Sequence, residues 1–400
     1  MSRNRSGFRA VAFAFLIVMA FATLPSPLYG LYRERDGLSA LTITVVYAIF
    51  AGGTIAALLA VPALAGRIGR RGVMLAAVAT MMVAAGLLAA WKALPGLLLG
   101  RLITGIAVGL VAGTATTYLI ELYIRRDPNG SPIRPRNIGT AVNVGALGIG
   151  PLFAGCLAAW ARRPLTVPYL VWIVLGAFAL AGLAAAPETA APAPPAPTEK
   201  TGPRSRAARI PVPAGTATLA AFSANGLFAG LSGLLLATTF HHPSHALAGA
   251  TLFVVFSAGV VAQLATTSLR APQVLAFGTV SMLVGLVLLV TSVRLSTPSL
   301  ALFLVGGAFI GAGAGAVFKG TTGLVLEAAS PQDRLAMTSQ LLIALFIGLS
   351  IPVIGAGVAL DQGASAPDTV LGFAILVGLG VTAAGWELLG GAPKAAKQLA

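Results

Sequence analysis

The sequence predicts an all-α membrane protein, with twelve spanning helices arranged as two six-helix halves. Three observations carry that prediction. Of the 400 residues 57% are hydrophobic and 9% charged, and the apolar residues fall into repeated runs of the roughly 18 to 25 residues that a helix needs to cross a bilayer. The runs are continuous rather than alternating, which selects helices over barrel strands, the other backbone that satisfies its own hydrogen bonds in lipid. Finally, one long proline- and alanine-rich stretch divides the runs six and six.

The helices are expected at 8–30, 40–61, 73–92, 96–123, 138–160, 167–186, 214–237, 247–268, 272–293, 298–326, 335–358 and 367–388. The first run follows Arg3 and Arg5 but lasts about 20 residues without a clear small-residue cleavage site, so it reads as a spanning helix rather than a signal peptide. Pro25 and Pro27 in LPSPLYGLY should break or kink its end, where Tyr29 and Tyr32 suit an aromatic belt at the membrane surface. The stretch PETAAPAPPAPTEKTGPRSRAARIPVP, residues 187–213, reads as an extended linker between an N-terminal half over 1–186 and a C-terminal half over 214–400. The 48 glycines and 25 prolines fit membrane helices, where small residues allow close approach. The lone Cys156 excludes an intrachain disulfide and reads as a small core residue.

The net charge of +15 is confined to short connections, without the basic, aromatic-interleaved surface that nucleic-acid binding requires. Its distribution is strongly one-sided. With the amino terminus inside, the inner segments hold Arg3, Arg5, Arg9, Arg67, Arg70, Arg71, Arg125, Arg126, Arg134, Arg136, Lys200, Arg204, Arg206, Arg209, Arg270, Arg334, Lys394 and Lys397. The outer segments hold only Arg33, Arg35, Lys92, Arg162, Arg163 and Arg294. That asymmetry predicts a multi-pass protein of the cell membrane, a bacterial inner membrane, with both termini cytoplasmic.

Between the second and third helices, VPALAGRIGRRGVML resembles the signature G-x-x-x-D-R-x-G-R-R of the major facilitator superfamily (MFS). Arg67, Gly69, Arg70 and Arg71 match, while Pro62 stands for the first glycine and Gly66 for the acid. RLITGIAVG, with Arg101, Gly105 and Gly109, is similar to the R-x-x-x-G-x-x-x-G of the family's fourth helix. GPLFAG, with Gly150, Pro151 and Gly155, resembles a degraded form of the G-P-x-x-G-G motif of its exporter branches. The resemblance covers nearly the whole chain and implies the MFS fold, with two halves that rock around a central site. It also implies that the arginines latch the inner face by pairing with the acid at the inner end of the fourth helix, Glu121. A weak internal repeat supports that layout. TTYLIELYIRRD and TTGLVLEAASPQD set Glu121 and Glu327 in matching places, which makes Glu327 the second-half gate residue.

Two cations fall inside helices, Arg101 and Lys319. Each is costly in hydrocarbon and is therefore a candidate for substrate binding or coupling, against helix bridging for Arg101 and snorkelling for Lys319. Asn143, Asn225, Gln263 and Gln340 are candidates to line a cavity, or to join helices by hydrogen bonds. No carboxylate lies at mid-membrane depth, so proton coupling rests on the resemblance, with Glu121 its candidate. HHPSH, from His241 to His245, lacks the cysteine or acid that would complete a metal site and reads as a solvated loop. No phosphate-cradling loop and no intramembrane cluster of nucleophile and base occur, which argues against ATP use and catalysis, and no cofactor is expected. The expected activity is proton-coupled export of a small organic or amphipathic compound by a monomer in the bilayer. The alternative is import or exchange of a small organic anion through Lys319 and Arg101. A channel and a membrane enzyme are the remaining classes.

Overall fold

In a chain this apolar, backbone groups must be satisfied within each segment, and helices do so. The computed structural model describes residues 2–127, 133–189, 209–330 and 332–396, and among these the regular structure is helical throughout. In chain order the helices are α1 (Ser2–Thr23), α2 (Tyr29–Asp36), α3 (Ala40–Ala48), α4 (Phe50–Ala90), α5 (Leu94–Arg126), α6 (Ile133–Trp160) and α7 (Val167–Ala185). They continue with α8 (Val212–Thr238), α9 (His245–Ala265), α10 (Ala271–Arg294), α11 (Leu300–Ala328), α12 (Arg334–Asp361) and α13 (Ala366–Ala396).

Eleven helical stretches among the described residues are long and apolar enough to span a membrane. One of them, Ala40–Ala90, has 51 residues. At about 1.5 Å per residue it extends roughly 75 Å, more than twice the ~30 Å hydrocarbon layer. Helical geometry breaks once within it, at Gly69 (φ 72°, ψ 172°), so the stretch holds two crossings and the total is twelve. The loop expected between the second and third helices is therefore helical on both sides of a single residue.

The end of the first crossing differs from expectation in another respect. The chain leaves α1 at Thr23, passes a short 3-10 turn at Ser26–Leu28 and re-enters helix as α2, as its two prolines require. Tyr29 and Tyr32, expected at the lipid surface, are instead buried. Cys156, expected in the core, is exposed. It lies on the outward side of α6, whose opposite side holds Gly150 and Ala154 in the packing.

The chain forms two packed units. The first comprises Met1–Pro25 with Ile49–Ala208 and the second Ser26–Ala48 with Arg209–Ala400. In the first, α4 lies against α5 where Gly105 and Gly109 remove side chains from the seam: a Cβ at either would overlap the backbone of Phe50 or Thr54. At Gly150, α6 crosses α1 in the same way, backbone against Ala20. In the second, α10 and α11 pair through Gly278, Gly285 and Gly320. Small residues set the approach because lipid tails offer no hydrophobic drive between helices, leaving close packing to hold them together. Most of the expected linker, residues 190–208, lies outside the described residues, as do Arg204, Arg206, Lys200 and Lys397.

Candidate functional site

The site grows from the break at Gly69. Positive φ is free of steric cost only for glycine, and a Cβ here would also stand 2.6 Å from Glu188 Oε2. Past the break the second arm of α4 begins with unpaired backbone N–H groups and the positive end of a helix dipole. The Glu188 carboxylate occupies that end, accepting from the amide of Arg70 at 3.1 Å on Oε1 and from the amide of Arg71 at 3.0 Å on Oε2.

Arginine side chains fan out from the same point. Arg70 Nε donates to Glu121 Oε2 at 2.7 Å, with the two side chains 25% and 30% exposed. Thr189 Oγ1 donates to the same carboxylate oxygen at 2.6 Å. Arg71 reaches the Ala184 carbonyl at the end of α7, 2.5 Å away. Arg125 donates to the carbonyls of Glu188 and Thr189, at 2.8 and 2.5 Å, and the Tyr118 hydroxyl donates to that of Pro187 at 2.7 Å. Arg67 and Gly66 are exposed. Fully exposed ion pairs contribute about 0–1 kcal/mol. The Arg70–Glu121 pair is more enclosed and its carboxylate has a second donor, so it belongs at the top of that range.

Sequence reasoning names Arg70, Arg71 and Glu121 for this corner and misses Glu188, which it leaves in the linker. A signal was available: with Gly66 in place of an acid, three arginines face one glutamate, and PET immediately follows the sixth apolar run.

The intramembrane cations are both engaged. Arg101 is 0% exposed; its guanidinium donates to the Ala22 carbonyl at 2.6 Å and lies 4.8 Å from the centre of the Phe50 ring. It thereby satisfies a carbonyl in the last turn of α1, which describes helix bridging. Lys319 Nζ, on α11, donates to the Gln263 carbonyl at 2.5 Å and to Thr266 Oγ1 at 3.3 Å. Those acceptors lie at the carboxy end of α9, where a cation meets both orphan carbonyls and the negative end of the dipole.

Of the neutral candidates, Gln340 Oε1 accepts from the Ile210 amide at 3.1 Å. Asn225 and Gln263 are buried, 2% and 3% exposed, and Asn225 Oδ1 and both Gln263 amide atoms have no hydrogen-bond partner among the described residues. Asn143 is half-buried on α6. Asn143 belongs to the first unit and the other three to the second. Glu327 is exposed, and among the described residues it forms no ion pair. The repeat thus preserves the acid's place without its partner.

Twelve crossings among the described residues, a buried arginine and a half-buried lysine bonded to helix ends, and an ionic corner in the first unit are features that suit a membrane carrier. The model of the Major Facilitator Superfamily matches residues 11–269, and the chain belongs to that family. Among solved structures it is similar to the nucleoside transporter NupG, at 12% identity and a TM-score of 0.64 over 96% of this chain and 99% of that one. A point mutant of the same transporter matches at 11% identity and 0.67, over 96% and 99%. The chain is also similar to the human organic anion transporter MFSD10 (TETRAN), at 18% identity and 0.65 over 95% and 99%. A search of curated proteins finds no match. Family membership points to a multi-pass membrane transporter rather than an enzyme.

Proposed function

We propose that this chain is a secondary active transporter exporting a small organic or amphipathic compound across the cytoplasmic membrane by alternating access, coupled to protons. The Arg70–Glu121 pair carries the reading. It supplies an ionic contact, enclosed enough to matter and exposed enough to break, at the end where the basic residues concentrate. On the basic asymmetry that end is cytoplasmic, as are both termini. Glu121 is the carboxylate proposed to take the coupling proton, because protonation would remove the charge that holds Arg70. The protein acts as a monomer in the bilayer, and GPLFAG in α6 supports the outward direction. The test uses labelled, purified protein: Arg70→Ala should lengthen the spectroscopic distances across the arginine-bearing end and slow saturable counterflow in proteoliposomes. Unchanged distances and unchanged counterflow would reduce the arginines to topology signals.

A second reading, uptake or exchange of a small organic anion, is favoured by Lys319 and by the likeness to a protein named as an organic anion transporter. Arg101 is fully enclosed, so that reading depends on Lys319. A bound anion in low dielectric needs a compensating charge. Lys319→Ala should then abolish counterflow of an organic anion while Lys319→Arg keeps part of it. A neutral or cationic substrate predicts instead that Lys319→Gln transports normally.

A further inference from the structure

The second unit contains a cavity of about 230 Å³ that is remote in sequence from the arginine corner. One wall is a single helical face. Ser26, Tyr29 and Arg33, spaced three and four residues apart, line it together from the 3-10 turn and α2, while Leu234 and Ala237 of α8 and Ile43 of α3 supply an apolar floor. The volume is below the 300–1,000 Å³ of drug-sized sites, so the space suits a molecule of a single ring or a short chain.

The polar groups on the wall are unusual for a packed membrane unit. Arg33 is half-buried, and among the described residues its guanidinium has neither ion pair nor hydrogen bond. Its neighbour Arg35 is matched by Asp36 at 2.7 Å. Ser26 is 7% exposed, and its hydroxyl has no hydrogen-bond partner among the described residues. A buried hydroxyl and a half-buried guanidinium both lose by remaining unmatched. They stand seven residues apart, about two helical turns, on the rim of one cavity. Two acids are nearby and neither neutralises Arg33. Glu34 also lines the cavity but is exposed. Asp361 lines a wider adjoining space of about 710 Å³, which shares Arg33 as a wall, and its Oδ1 accepts from the Leu41 amide at 3.3 Å.

We propose that this cavity binds a small organic carboxylate. The carboxylate sits on the Arg33 guanidinium, whose planar fork matches two oxygens. The Ser26 hydroxyl donates a further hydrogen bond to the ligand, and the ligand's apolar body lies against Ile43, Leu234 and Ala237. The site is separate from Lys319 and holds whatever the direction or substrate of transport, because it is a statement about binding alone.

Benzoate is the probe, with benzamide as its neutral match, titrated calorimetrically into full-length protein in nanodiscs. Benzoate should bind saturably and benzamide about tenfold more weakly or worse, given the worth of a hydrogen bond to a charged group. Arg33→Gln should weaken benzoate by at least about tenfold, with Arg33→Lys intermediate, because the charge survives without the fork. Ala237→Leu keeps the charge and fills the floor, and should abolish binding. Lys319→Gln should leave affinity unchanged, which separates this site from the anion path considered above. Each variant is accepted only with wild-type thermal unfolding and monodisperse elution. Absence of saturable binding to the wild-type protein overturns the proposal, as does undiminished affinity in both Arg33→Gln and Ala237→Leu. Loss of binding in Lys319→Gln would move the carboxylate to α11 and equally overturn it.

Discussion

Two connections occupy matching places in the two halves of this chain, and different chemistry holds each. In the first unit the break at Gly69 is fixed by ions. Glu188 caps the second arm of α4, Arg70 pairs with Glu121, and Arg125 grips the chain that carries Glu188. In the second unit the segment between α9 and α10 is held without a carboxylate, by hydroxyls, a side-chain amide and the Lys319 ammonium on the Gln263 carbonyl and Thr266 Oγ1. Thr266 and Thr267 turn their hydroxyls back onto the carbonyls of Ala262 and Leu264, and the Gln273 side chain accepts from the Arg270 amide at 3.1 Å. Among the described residues no ion pair joins Arg270 to Glu327. The backbone problem is the same in both, free N–H and C=O groups at helix ends. A neutral cap responds weakly to salt and protonation, whereas an ionic one is strengthened or released by both. The difference teaches that only the first half closes this connection with carboxylates, the groups that protonation releases.

The largest test compares two left-handed glycines. Gly69 (φ 72°) has Glu188 against it, while Gly37 (φ 64°), at the end of α2 in the second unit, has nothing within 4 Å of a would-be Cβ. Alanine at Gly37 (ψ 29°) incurs about 1–2 kcal/mol of left-handed strain, and at Gly69 (ψ 172°), in a region open essentially to glycine alone, about 1–3 kcal/mol. At Gly69 the new methyl must also displace the carboxylate, forfeiting hydrogen bonds to a charged group worth about 1.5–3 kcal/mol. Gly69→Ala should therefore lower the thermal unfolding midpoint of the purified protein clearly more than Gly37→Ala. Equal losses would mean that the Glu188 cap contributes nothing.

What could be read in advance divides along physical lines. Crossing helices follow from apolar length, because bilayer thickness is a one-dimensional constraint, and the glycines of RLITGIAVG and GPLFAG mark seams because close backbone approach permits nothing larger. Arg70 and Glu121 are nameable because their partnership is written in local motifs. Glu188 is not, since its partner amides lie 118 and 117 residues away and a proline-rich composition describes a chain without saying what its first acid touches. For Tyr29 and Tyr32 the aromatic-belt expectation fails because a helix end can be covered by other helices as well as by headgroups. The engagement of Lys319 with the end of α9 is likewise tertiary: hydropathy records that a cation is submerged, not which carbonyl receives it.

The smaller test sets one cap against the other. Glu188→Gln keeps an acceptor for the amides of Arg70 and Arg71 but removes the charge from beside three arginines and a helix amino terminus. Charge at such an end contributes about 0.3–1 kcal/mol when exposed and up to ~2 kcal/mol when partly buried. The loss at low ionic strength should be about 1 kcal/mol, and it should shrink as sodium chloride is raised, because exposed charges are screened over roughly 8 Å at physiological ionic strength. Gln273→Ala removes the neutral cap of the second unit, at the low end of the ~0.5–2 kcal/mol range for caps because the site is exposed. Its effect should be the same at every salt concentration, since no net charge is lost. Unfolding midpoints of the two variants, each referred to the wild type across a salt series, give two slopes. A converging slope for Glu188→Gln beside a flat one for Gln273→Ala supports a carboxylate cap in one half and an amide cap in the other. Two flat slopes would make Glu188 a hydrogen-bonding cap whose charge is incidental, and the proposed latch would then rest on Arg70 and Glu121 alone.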